Sequence, residues 1–164
     1  MLSIHNSKNH KRQRGVSLVE SMIALLIISI GLLGIAGLQI TSIKQNNSAL
    51  QHSQAVWIGY NIADRIRANF GEFDRYAGID TSTSYTQDCQ TSACTAPQMV
   101  TSDASEWKVL VENLPAGRGI ISSPSAAELV IAVMWDDEGT GATGTNCGPN
   151  PAVDLTCYTV NLIQ

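Results

Sequence analysis

Histidine, aromatic residues and charge are all scarce in this chain of 164 residues. Of its three histidines only His52 lies beyond residue 10, so no Ser-His-Asp or Cys-His arrangement can be assembled and no catalytic residue is assigned. A single imidazole, with nine residues between Cys147 and Cys157, also argues against a structural zinc site; neither a metal nor a cofactor is expected. Three Trp, four Tyr and two Phe, set among plentiful Gly, Ser, Thr and Asn, describe a small core with much loop around it. With 44% hydrophobic residues the chain is not disordered, and its length suits one domain.

The scarce charge is unevenly placed. Lys8, Lys11, Arg12 and Arg14 give the first 15 residues +4, whereas the remainder carries 6 basic against 14 acidic groups and so −8. An acidic body of this kind excludes nucleic acid as a partner. From Ser21 to Ile43 there is no charge in 23 residues, a run that as a helix extends about 34 Å at roughly 1.5 Å per residue, enough to cross a bilayer. The basic residues precede it, so the positive-inside bias keeps the N-terminus cytoplasmic and exports everything after about Lys44. Cys89, Cys94, Cys147 and Cys157 then all lie on the exported side, where disulfides form; three connectivities are open, and proximity along the chain favours 89–94 with 147–157.

A secretory signal peptide with a small-residue exit at Gly34-Ile35-Ala36 is the plainest reading of such an N-terminus. Glu20 opposes it. An ionised carboxylate at the edge of an apolar run costs several kcal/mol if left unpaired in lipid, so it asks for a partner. The stretch Gly15-Val16-Ser17-Leu18-Val19-Glu20, between a basic leader and a long apolar helix, resembles the class III signal of the type IV pilin superfamily, shared by type IV prepilins and type II secretion pseudopilins. That resemblance implies a cut between Gly15 and Val16 by a membrane-bound prepilin peptidase, N-methylation of Val16, and a fifth mature residue, Glu20, that neutralises a subunit N-terminus during assembly. Val16 stands where the family usually has Phe. The mature chain's apolar helix must lie in membrane lipid or be buried among like helices in a filament.

Beyond the apolar run, Ile43, Leu50 and Trp57 recur at seven-residue spacing and Ile58, Ile62, Ile66 and Phe70 at four, which predicts one helix from about Leu18 to Phe70 with a single apolar face, stopped by Gly71. Residues 76–102 read as a long polar loop. Asp103-Ala-Ser-Glu106 has the form of a capping box, and Trp107, Leu110, Val111 and Leu114 follow at helical spacing, so a short second helix is placed here, ended by Pro115 and Gly117. Gly119–Ser122, Leu129–Trp135 and Thr156–Ile163 read as strands of a small antiparallel sheet. Asp136-Asp137-Glu138 before Gly139 offers carboxylates to Ca²⁺ but lacks the alternating acids of an EF-hand loop; solvated turn acids are the commoner explanation.

The expected class is therefore α+β: a pilin fold with a long N-terminal helix, a small antiparallel sheet and a short second helix. It divides into a cleaved leader (1–15), an apolar transmembrane or filament-core helix (16–43) and a periplasmic head (44–164). ADRIRAN at 63–69, the W-x₆-L-P-x-G stretch from Trp107 to Gly117, Val133-Met134-Trp135 and the last cysteine pair resemble the PilV-type minor pilins, or pilus modification proteins. The resemblance implies a subunit that works with the major pilin, other minor pilins and the inner-membrane assembly platform to begin a pilus, moving from inner membrane to cell surface. The alternative is a type II secretion pseudopilin of a periplasmic piston.

Overall fold

A computed structural model describes residues 17–164. Gly15 and Val16 lie outside the described residues. Two units divide the chain, one ending at Ile43 and the other running from Lys44 to Gln164. A continuous helix, α1 (Leu18–Ala68), contributes to both.

In the first unit every described residue is exposed. Leu, Ile and Met side chains point outward on all sides of the helix, with Leu25 and Ile27 each 65% exposed. Hydroxyls within it turn back on the backbone: Ser29 donates to the Leu25 carbonyl at 2.7 Å and Thr41 to that of Gly37 at 3.1 Å. This leaves the helix surface apolar. Gly31, Gly34 and Gly37 do not interrupt it.

In the second unit α1 continues to Ala68, and a 3₁₀ helix (Phe70–Tyr76) follows across Gly71, which therefore is not the stop. The buried stripe consists of Ala55, Ile58, Ile62, Ala63 and Ile66. Ile43, Leu50, Trp57 and Phe70, expected on that stripe, are instead 59%, 57%, 57% and 48% exposed. At roughly 100° per residue, Leu50 and Trp57 lie about 120–180° round the helix from Ala55, Ile62 and Ile66 in the middle of the buried stripe, so a seven-residue and a four-residue repeat marked two faces rather than one.

Helix α2 runs from Ala96 to Val111, seven residues earlier than the expected start. Its first turn is set by Thr95 and Gln98, whose Oε1 accepts the Thr95 backbone N–H at 2.9 Å, with Pro97 in the turn where a missing N–H does no harm. Asp103 and Glu106, expected as the cap, lie within the helix.

The strands β1 (Arg118–Ser125), β2 (Glu128–Trp135) and β3 (Thr156–Ile163) form an antiparallel sheet in that order. Ile121 of β1, Leu129, Ile131, Val133 and Trp135 of β2, and Leu162 of β3 form one core with the α1 stripe and with Val100, Ala104, Trp107 and Val111 of α2. On the other face Met134, Ala142 and Leu155 make a smaller cluster beneath the β2–β3 loop.

Candidate functional site

Glu20 stands in the first turn of α1 and is exposed. There the unpaired amides of the helix N-terminus favour a negative charge. No other charged residue lies on α1 before Lys44.

The head is held by contacts between residues far apart in sequence. Asp103, 4% exposed, accepts the Tyr76 hydroxyl at 2.6 Å and Arg65 Nη1 at 3.0 Å. Arg65 also meets Glu106 at 2.7 Å. Burial works to lower the Arg65 pKa, but its bonds to Asp103 and Glu106 carry it above the ordinary value. Burial and the bond to Asp103 push the Tyr76 hydroxyl well above the usual tyrosine range. The bond from Gln90, with that from Arg65, lowers the Glu106 carboxyl. One buried acid thus joins α1, the 3₁₀ helix and α2.

Several of the residues that carry the subgroup resemblance serve this core. Trp107 is fully buried and its indole N–H donates to the Ile58 carbonyl at 3.3 Å. Leu114 is buried. At Gly117 a Cβ would meet the Val111 carbonyl oxygen at 1.9 Å, so only glycine passes. Within ADRIRAN, Ala63 and Ile66 are core and Arg65 holds Asp103. Trp135 is buried, and its N–H donates to Asp137 at 3.0 Å.

Both cysteine pairs are bonded. Cys89 joins Cys94 and Cys147 joins Cys157, with Cα atoms 5.5 and 5.4 Å apart. The second bridge ties the β2–β3 loop to the start of β3, and Asp154 is held close beneath Gly144 and Gly148, where any Cβ would strike its carboxylate. The acids at the head of that loop are engaged by protein groups. Asp136 accepts the backbone N–H groups of Thr140 and Gly141 at 3.0 and 2.7 Å, which lowers its pKa. Asp137 accepts Ser48 of α1 at 2.7 Å as well as Trp135. These carboxylates fasten a turn to a helix, and among the described residues no group of three metal-ligating side chains occurs. His52 is exposed, its ring edge-on to Trp135 and Tyr158 at 5.9 Å from each.

An exposed apolar helix with an acid in its first turn, leading into a small disulfide-tied head of helices and an antiparallel sheet, is the α+β architecture of a pilin. The model of the prokaryotic N-terminal methylation motif matches residues 10–36, and the family described as type IV pilin Tt1218 matches residues 37–105. The two matches abut, and residues 10–105 carry the family signatures of a type IV pilin. No curated protein and no solved structure matches it. The matches point to a structural subunit, and the motif with the apolar helix fits a membrane-anchored pilin.

Proposed function

We propose that the chain is a minor pilin of the PilV type, cut between Gly15 and Val16 by the prepilin peptidase, methylated on Val16, and used with other minor pilins to begin and build a type IV pilus on the major pilin. The observation that carries this is Glu20, the only acid on the membrane-length part of α1, in the first turn of a segment to Ile43 that is otherwise uncharged, mostly apolar and exposed. The precursor is a single-pass inner-membrane protein with its N-terminus cytoplasmic and its head periplasmic. There lipid covers Leu18–Ile43; during assembly on the inner-membrane platform the helices of neighbouring subunits take the place of lipid. Glu20 then pairs with a subunit's α-amino group, because a buried charge without a partner is not tolerated. The head's signature residues, Trp107, Leu114 and Gly117, support the PilV-type assignment over a pseudopilin by resemblance. Deleting the gene decides between them: loss of surface pili with enzyme secretion intact is the expected result, and loss of secretion with pili intact assigns the chain to the secretion piston.

A further inference from the structure

The chain has four tyrosines, and they fall into two kinds. Tyr76 donates its hydroxyl to Asp103 at 2.6 Å and Tyr85 to the Asp80 carbonyl at 3.1 Å, so each phenol is tied to a group of another kind. Tyr60 of α1 and Tyr158 of β3 instead face each other, with ring centroids 6.5 Å apart and ring planes inclined at 50°. Their facing ring edges are closer than the centroids by the two ring radii. Tyr60 is 48% exposed, which opens the pair to reagents from solution.

The pair is held in place from both sides. Tyr158 lies over Gly59, where a Cβ would stand 3.4 Å from its Cδ1 and Cε1 atoms, and the His52 ring meets it edge-on at 5.9 Å. Gly59 itself is buried, and the absence of a side chain there lets the strand's ring settle on the helix next to Tyr60. The two disulfides belong to an oxidising compartment, but they close short loops, with sequence separations of 5 and 10, and neither joins α1 to the sheet. A bond between Tyr60 and Tyr158 would join them.

We infer that Tyr60 and Tyr158 form an oxidative cross-linking site: a one-electron oxidant of the peroxidase class, supplied with hydrogen peroxide, joins the two rings by a carbon–carbon bond ortho to their hydroxyls. Each phenol gives up one electron and its hydroxyl proton. The two phenoxyl radicals couple at their ortho carbons, and the hydrogens on those carbons move to the oxygens, which restores both phenols. The peroxide takes up the two electrons and two protons and leaves as two waters.

This goes beyond the pilin reading and is tested on the isolated full chain in detergent, so that it stands or falls apart from what the fibre does. The chain is treated at several dilutions with hydrogen peroxide and a haem peroxidase, digested, and read by dityrosine fluorescence and peptide mass. The expected product is one chain, lighter by two hydrogen atoms, that yields a joined peptide containing Tyr60 and Tyr158, in a yield that dilution does not change. Tyr60→Phe and Tyr158→Phe, which keep the rings and the packing, should each abolish that peptide, and Tyr85→Phe should leave it in place. Links through Tyr76 or Tyr85, products that join two chains and decline on dilution, or consumption of peroxide without a Tyr60–Tyr158 peptide would overturn the inference.

Discussion

The carboxylate of Asp103 on α2 lies 2.6 Å from the hydroxyl of Tyr76 on the 3₁₀ helix, and Arg65 of α1 approaches the same acid at 3.0 Å. Three segments separated by up to 38 residues in sequence meet at one buried group. Asp103→Ala leaves the Tyr76 hydroxyl without its acceptor and removes one of the two anchors of Arg65, and is expected to cost the head about 2–3 kcal/mol. Tyr76→Phe removes the bond donated to Asp103 and the longer one accepted from Asn69 at 3.3 Å, and should cost about 1.5–2 kcal/mol. Urea unfolding of the detergent-solubilised chain, followed by tryptophan fluorescence, gives both values.

The same contact sets an alkaline limit. Tyr76 holds its proton above the usual tyrosine value of about 10, so its contribution is complete below that pH and is lost as the pH rises through the higher value in the folded protein. The melting temperature should therefore fall above about pH 10, and Tyr76→Phe should fall less steeply. Tyr158, raised by its hydrogen bond with Tyr60 and by burial, leaves a residual slope. On the acid side, Asp80 is half-buried, which works to raise it, but Arg118 at 2.7 Å and Ser82 bring it below the carboxylate range. Its contribution is present above the ordinary value near 4 and disappears as the pH drops through the lower folded value. Melting curves across both limits test the two signs.

Gly119 packs its Cα against the indole of Trp107, and a Cβ there would lie 2.5 Å from the ring. Gly119→Ala is expected to destabilise the head by about 1–3 kcal/mol through overpacking. Gly71→Ala, where nothing lies within 4 Å, should be close to neutral. Denaturation midpoints of the two variants provide the comparison.

The strands were legible because alternating and β-branched residues between turn signals leave few other readings; β2 and β3 end where the pattern ends, at Trp135 and Ile163. The apolar helix was legible for a similar reason, since no soluble element needs 23 uncharged residues. Asp103 misled because D-x-x-E has the same spacing whether the acid caps a helix or lies inside one and reaches another element. The actual cap, Thr95 with Gln98, stands in a polar stretch without apolar periodicity. Nor could the sequence separate Trp57 from Ile58: both are apolar on one helix, and only the position of the sheet decides which is covered. The meeting of Tyr60 with Tyr158 depends on how β3 lies against α1, which local pattern does not encode.

Glu20→Val is expected to be cleaved, inserted and folded, because the head makes no use of Glu20, yet to be missing from the filament. Glu20→Gln should be nearly as poor, since the amide leaves the ammonium partner without a counter-charge, and breaking a buried pair costs about 3–5 kcal/mol. The ratio of tagged protein in sheared pili to that in membranes measures this; wild-type ratios for both variants would remove Glu20 from the assembly step.

The most direct test of the account is the intact mass and N-terminal sequence of the protein recovered from sheared pili. A chain that begins at a methylated Val16 and retains residues 16–164, with both disulfides formed, is the predicted result. A chain that still begins at Met1, one that begins near Gly37, or absence of the protein from pili that are otherwise assembled would contradict it.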